Sequence, residues 1–311
     1  MPEAPVLLVG YNRPDKFIQL IESLRLSKPS KILIAIDGPK SQNLQDELRV
    51  SEVLGAVNKI DWTDDIEIRK RPHNLGLRVA MIDAVSWAVS REGKVIVVED
   101  DVIVGPNFTN FCNYTLSKFK DDHSIGQING WNQVPYEIPK SKNKICRLSL
   151  YNTSYAWATW ADRWDLYDDN LTWATSKSIK EMRNITGSFR SSIQWRINFR
   201  NAQELLVDSW SYRWLATMWS HGMSSVTPNS NLITYDGHLD GTHTRTKRRE
   251  FNNKVDEVSQ FESLQINDPI ELDRDAEEWL RKVYFDDSIK GLIKTIGARQ
   301  ALKLLKKIKK V

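Results

Sequence analysis

The chain has 311 residues, 41% hydrophobic and 27% charged, with a formal charge of +4 and two cysteines, Cys112 and Cys146, without CxxC spacing. This is the make-up of a soluble globular protein, long enough for one large α/β domain or two smaller ones, and the cysteine usage fits a reduced, cytoplasmic setting. The opening MPEAPVLLVGYNRP lacks the basic region and apolar length of a secretory signal, no stretch reaches transmembrane length, and the positive charge is a property of the tail. Between Lys290 and Val311 there are eight Lys or Arg and no acid; the remainder holds 36 basic against 40 acidic residues, which argues against a nucleic-acid-binding core.

In chain order, Val6 to Val9 predicts a strand ending at Gly10-Tyr11-Asn12-Arg13. Pro14 suits a first helical position, and Phe17, Leu20, Ile21 and Leu24 follow on one helical face. Lys31 to Ile36 reads as a second strand stopped by Asp37-Gly38-Pro39, and Leu44, Leu48, Val53, Leu54 and Val57 as a second helix. Ile66 to Lys70 is a weaker third strand. After the turn His73-Asn74-Leu75-Gly76, the residues Val79, Ile82, Val85 and Val89 predict a third helix. Lys94 to Phe108, KVIVVEDDVIVGPNF, then gives a fully apolar strand that runs into three adjacent carboxylates, Glu99, Asp100 and Asp101.

This alternation predicts a doubly wound, mostly parallel sheet with right-handed crossovers. In such sheets ligands bind beyond the carboxyl ends of the strands. Asn12 and Arg13, Asp37 and the triplet Glu99-Asp100-Asp101 are therefore expected on one edge. Adjacent carboxylates repel one another, and a cation between them relieves that repulsion; a solvated acidic turn is the plainer reading of an isolated EDD. Nine of the twelve tryptophans lie between Trp131 and Trp219. Core packing accounts for most of them, and one or two suit stacking on a sugar face.

GxGxxG, GxxxxGK, HExxH and GxSxG are absent, and the five histidines show no paired zinc-ligand spacing. A hard-cation site of oxygen ligands remains, of the kind that holds Mg²⁺ or Mn²⁺ on a diphosphate.

The ordered set VLLVGYNRPDKF, ILIAIDGPK, NLGLRVAMIDAVSWAV, VIVVEDDVIVGPNF, GQINGWN, SYAWATWADRW, DSWSYRW and PNSNLITYDGHLDGTHT spans roughly residues 4 to 245. It resembles GT-A glycosyltransferases, most closely the N-acetylglucosaminyltransferase I type and its bacterial relatives. The resemblance implies a Rossmann-like nucleotide-diphospho-sugar transferase fold. A catalytic domain over 1–250 would divide into a nucleotide-sugar half (1–125) and an acceptor half (126–250), with a helical extension over 251–311.

It further implies an inverting, metal-dependent transfer from a nucleotide-sugar, a uracil base fitting best, to a glycan or lipid-linked glycan in surface polysaccharide assembly. Asp101 would hold Mn²⁺ (or Mg²⁺). Asp100 would reach the ribose, Glu99 the donor sugar and Asp37 the base, with Asn12, Arg13 and Arg78 near the nucleotide. Trp131 and Trp210 would face the acceptor. Asp208 is the candidate base, although Ser209 stands where the family has its second acid, and a helix N-cap is the alternative for Asp208. His243 is either a diphosphate or metal contact or an exposed polar residue. Arg245, Lys247, Arg248 and Arg249 are either a mobile cationic flap or a solvated charge run.

Two other functions stay open. A nucleotidyltransferase shares the fold and metal, but GYNRP stands where its Gly-rich phosphate loop is expected. A non-catalytic sugar- or nucleotide-binding module gives no reason for three adjacent acids. In the tail, Ile289, Leu292, Ile293 and Ile296, then Leu304, Leu305 and Ile308, share a helical face with lysines opposite. This predicts either an interfacial helix on an anionic membrane over 289–311 or a docked terminal helix with a basic edge.

Overall fold

The computed structural model describes residues 2–140, 143, 145–235, 255, 266 and 268–308, the last span without the side chains of 304, 305 and 308. Three βα units and a fourth strand open the chain. They are β1 (Val6–Gly10) and α1 (Pro14–Leu24), β2 (Ile32–Ile36) and α2 (Leu44–Ala56), β3 (Ile66–Lys70) and α3 (Leu77–Glu92), then β4 (Lys94–Glu99). Local chemistry sets several of the boundaries. Pro14 occupies the first turn of α1, where no donor is needed, and Asn43 caps α2 by accepting from the Asp46 amide at 3.1 Å. Gly93, left-handed at φ 73°, ends α3 and donates to the Val89 carbonyl at 2.8 Å.

The next stretch holds β5 (Val102–Val104), α4 (Phe108–Lys118), β6 (Ile125–Asn129), β7 (Cys146–Ser149), β8 (Ala156–Trp160) and α5 (Ala161–Trp164). After these come α6 (Thr172–Ser176), α7 (Ile179–Thr186), α8 (Phe189–Gln203), α9 (Trp210–Ser220), β9 (Ser224–Pro228) and β10 (Ile233–Tyr235). The C-terminal part holds α10 (Arg274–Trp279), a π-helical turn (Leu280–Tyr284) and α11 (Ile289–Ile308).

Among the described residues, eight strands form one sheet in the order β3-β2-β1-β4-β8-β6-β9-β7, and β5 pairs with β10 beside it. β1 to β4 are mutually parallel; β8 runs antiparallel between β4 and β6, β9 is parallel to β6, and β7 is antiparallel to β9. The fold is thus α/β with a mostly parallel central sheet flanked by helices, as expected. β8 is the departure from the doubly wound pattern, reversing direction next to the central strand.

The apolar strands are buried on both faces because their side chains alternate between two cores. Leu8, Ile34, Ile96 and Val98 join Phe17, Leu20, Ile21 and Leu24 of α1 on one face. Leu7, Leu33, Val95 and Val97 join Met81, Ala84, Val85 and Ala88 of α3 on the other. Two helix faces differ from the sequence reading. On α2, Leu44 and Leu48 are exposed while Asp46, Val50 and Val53 face inward. The reason is polar: Asp46 is drawn in by Tyr11, Asn12 and the Lys40 amide, which rotates the two leucines outward. On α3, Val79 is exposed, and small Ala84 and Ala88 let the helix lie close to the sheet.

The tryptophan-rich segment is core, as most of its indoles were expected to be. Trp157, Trp164, Trp210 and Trp214 pack beneath α3, while Trp195 and Trp219 pack with Tyr151 and Phe199. The C-terminal segment adds to this second group through Ala276 and Leu280, and Leu272 bridges to Leu148 of β7.

Glu277 of α10 is buried there and accepts from the Leu150 amide at 3.2 Å, while its Oε1 has no hydrogen-bond partner among the described residues. Burial pushes its carboxyl from 4.5 up to about 7. The folded chain therefore keeps a proton that the unfolded chain releases near 4.5. The associated stability is complete below that pH and is lost as pH rises through about 7, amounting to up to about 3 kcal/mol. Glu277→Gln is expected to flatten the pH dependence of the melting temperature between pH 5 and 8, with the largest gain over the wild type at the alkaline end.

Candidate functional site at the carboxyl edge of the sheet

Register places the candidate residues side by side. Gly10 is level with Ile36, Ile36 with Lys70, and Val9 with Glu99, so the carboxyl ends of β1 to β4 form one edge. Tyr11, Asp37 and Asp100 follow directly on those ends. Parallel strands produce this convergence without side-chain help, since each returns to the same end through a helix.

At the end of β4, Glu99 accepts from the Tyr155 amide at 3.1 Å and donates its own amide to the Tyr155 carbonyl at 2.8 Å. Arg13, at the start of α1, places Nη1 3.4 Å from Asp100 and 3.3 Å from Asp101. One guanidinium thus faces two carboxylates with a third beside them. Burial, with repulsion from Asp101, pushes Glu99 up to about 8 and Asp100 up to about 7; burial raises Asp101 as well. Asp101 is only 9% exposed, and its Oδ1 is buried with no hydrogen-bond partner among the described residues. A buried carboxylate oxygen without a donor is costly unless a cation or ligand serves it. The donor set fits a hard divalent ion at that oxygen, although among the described residues no group of three or more His, Cys, Asp and Glu is arranged to hold a metal ion by itself.

Aromatic rings wall the triplet. Tyr155 sits 4.1 Å from Tyr235 and 5.1 Å from Trp131, and Trp131 lies 6.1 Å from Tyr284 of the C-terminal π-helical turn. Tyr155 has φ 83°, a region that bulky residues rarely adopt and that is found at functional sites. Tyr235 stands opposite Val102 in the β5–β10 pair, and burial with the nearby Asp101 charge pushes its phenol up. Trp131, expected on the acceptor side, is buried and lies in this wall. Tyr155, Tyr235 and Tyr284 were not singled out in the sequence. SYAW and LITYDG held the first two, but only strand pairing brings them to Asp101.

Four of the expected site residues are held by the protein itself. Asp37 accepts from the Gly38 and Leu75 amides at 2.9 Å on one oxygen, and from the Asn74 side chain at 2.9 Å and the Gly76 amide at 3.1 Å on the other. The four acceptor positions of a carboxylate are thereby filled by protein, so Asp37 fixes the Asn74–Gly76 turn and has none left for a base. The Asn12 carboxamide is held by Asp46 Oδ1 at 2.5 Å. Trp210 is 3% exposed and stacks on Trp157 at 5.2 Å in the core, away from any acceptor surface. Arg78 is held by two carboxylates, donating to Asp208 Oδ1 at 2.7 Å and to Asp169 Oδ2 at 2.5 Å.

Asp208 itself is half exposed on the α9 side of this pair. Ser209, not Asp208, caps α9, accepting from the Tyr212 amide at 3.2 Å. A polar cavity of about 420 Å³ opens beside the ion pair, lined by Arg78, Asp169, Asn170, Gln203 and Arg213 among others. His243 and the run Arg245, Lys247, Arg248 and Arg249 lie outside the described residues.

No protein-family model matches the chain, and no curated protein matches it. Among solved structures it is similar to the galactosyltransferase LgtC in complex with donor and acceptor sugar analogs, at 10% identity and TM-score 0.39, over 71% of this chain and 72% of that one. A second is the mannosyltransferase PcManGT from Pyrobaculum calidifontis in complex with GDP-Man and Mn²⁺, at 9% identity and TM-score 0.36, over 71% of each chain. At such identities the likeness reaches no further than the course of the backbone.

Proposed function

We propose that this protein is a metal-dependent, inverting glycosyltransferase that moves a sugar from a nucleotide-diphosphate-sugar, UDP-linked, to a hydroxyl of a glycan or lipid-linked glycan. The setting that suits this chemistry is the cytoplasmic face of the cell membrane, during surface polysaccharide assembly. The observation that carries the reading is the orphaned Oδ1 of Asp101, buried within three carboxylates at the carboxyl edge of the sheet. The ordered motifs that resemble the N-acetylglucosaminyltransferase I type supply the reaction class.

In this reading Asp101 would hold Mn²⁺ or Mg²⁺. The ion would supply Lewis-acid neutralisation of the departing nucleoside diphosphate. Arg13 offsets the charge of Asp100 and Asp101 from the protein side. Asp100 serves the ribose and Glu99 the donor sugar, the latter held in place by the Tyr155 amide. The Tyr155–Tyr235–Trp131 wall gives this pocket an apolar flank, which suits the CH-rich face of a pyranose.

On the acceptor side, Asp208 takes the proton of the attacking hydroxyl on its second oxygen while Arg78 fixes the first. The polar cavity lined by Arg78, the partner of Asp208, supports placing the acceptor on this side. Asp208→Asn is expected to lower turnover by about 10²–10⁴-fold with donor affinity retained, measured by calorimetry and by initial rates. A near-normal rate would move the base elsewhere.

Titration with UDP, with and without Mn²⁺, tests the central proposal. Metal-enhanced binding that Asp101→Ala removes is the expected result. Metal-independent binding, unaffected by Asp101→Ala, would leave a non-catalytic nucleotide-binding module. A screen of nucleotide-sugars for thermal stabilisation in Mn²⁺ then identifies the donor.

A further inference from the structure

α11 is amphipathic in an unusual way, because its cations are divided between two faces. One face docks on the end of α8. Arg299 donates to Asn201 Oδ1 at 2.5 Å and to Glu204 Oε1 at 2.6 Å, Lys303 lies 3.5 Å from Glu204, and Lys306 donates to the Glu204 carbonyl. The adjoining, solvent-facing side carries Ile289, Ile293 and Ile296, spaced i, i+4 and i+7, and exposed by 68%, 65% and 40%. Lys290, Lys294 and Lys307 are exposed beside them. The docked-helix and interfacial-helix readings of the tail are therefore not exclusive: the body holds one face and presents the other.

An apolar ridge of three isoleucines is far smaller than the ~800 Å² per partner that a stable dimer buries, so a second copy is a poor occupant. Charge selects a better one. No acid occurs between Lys290 and Val311, so the helix itself borders the ridge with cations and no carboxylate, Asp286 and Glu204 being the acids nearest its two ends. This net positive border suits a helix lying in the plane of an anionic bilayer surface. Among the described residues no helix is long and apolar enough to cross a membrane, so contact through this helix would be peripheral.

We propose that α11 is a membrane-docking helix in which Ile289, Ile293 and Ile296 enter the boundary between headgroups and acyl chains of an anionic bilayer. Lys290, Lys294 and Lys307 lie at phosphate level, and the cluster at Glu204 keeps the helix rigidly attached to the body. The membrane normal then runs outward through the isoleucine ridge. This proposal does not depend on the nucleotide site, and UDP binding in Mn²⁺, read on the same samples, separates failure of one from failure of the other.

Sedimentation of the full-length chain with vesicles of phosphatidylcholine, alone or mixed with phosphatidylserine, provides the test. Binding to the anionic vesicles alone is expected. It should fall by at least about tenfold for Ile293→Glu with Ile296→Glu, and by about fivefold for Lys294→Ala. All three side chains involved are exposed, so the melting temperature should stay within a degree or two, which separates lost docking from lost folding. Equal sedimentation of wild type and the isoleucine variant would overturn the proposal. So would a dimer by light scattering that the same isoleucine substitutions abolish.

Discussion

Asp101→Asn is expected to lower metal-dependent transfer by at least about 10³-fold while raising, not lowering, the melting temperature of the metal-free protein. The first effect follows from removing the carboxylate oxygen that serves the cation, since a Lewis acid contributes several kcal/mol to stabilising a departing diphosphate. The second follows from the folded state without metal. Asp101 is 9% exposed, its Oδ1 has no hydrogen-bond partner among the described residues, and Glu99 and Asp100 stand beside it with the Arg13 guanidinium close by. An amide keeps the shape, removes a carboxyl whose charged form burial disfavours and brings donors of its own, a gain of about 1 kcal/mol or more. The wild type should gain melting temperature on addition of Mn²⁺, by an amount that grows with metal concentration, and the variant should not. A variant that is less stable without metal, or still stabilised by it, would show that Asp101 serves the fold alone.

Asp37→Ala should have the opposite profile, with a large loss of stability. Three backbone amides and the Asn74 side chain lose their acceptor together. Hydrogen bonds to a charged group are each worth about 1.5–3 kcal/mol, and the freed donors lie partly buried, so a loss of about 3 kcal/mol or more is expected. Gly38→Ala probes the same junction independently. A Cβ there would meet the His73 backbone at 2.4 Å, so the turn that Asp37 holds must shift. Both variants should melt earlier and show weakened nucleotide binding as a consequence. Unchanged melting of Asp37→Ala with nucleotide affinity lost would return Asp37 to direct contact with the base.

These two carboxylates show where sequence reasoning ended. Both stand at strand ends, and the βαβ alternation was enough to bring them to one edge. Their different roles depend on what else arrives there. Asp37 meets the Asn74–Gly76 turn, 37 to 39 residues later in the chain, whereas Asp101 Oδ1 meets no donor among the described residues. Arg78 likewise finds its partner Asp208 at a separation of 130 residues. No local pattern encodes such a pairing. Trp210 misled for the same reason: an indole at a helix start reads as available until Trp157 and Trp164 are seen packed on it.

The sequence by itself determined what depends on neighbours a few residues apart. The β-branched runs became strands buried on both faces, Pro14 and Gly93 bounded their helices, and the order of elements placed the acidic triplet at the ligand-binding edge. Only the tertiary structure decided which carboxylate was left without a donor, which aromatics formed the wall at Asp101, and which face of α11 stayed in solvent. Periodicity and propensity act over one or two turns of chain, whereas partner choice is decided by segments that meet only after folding.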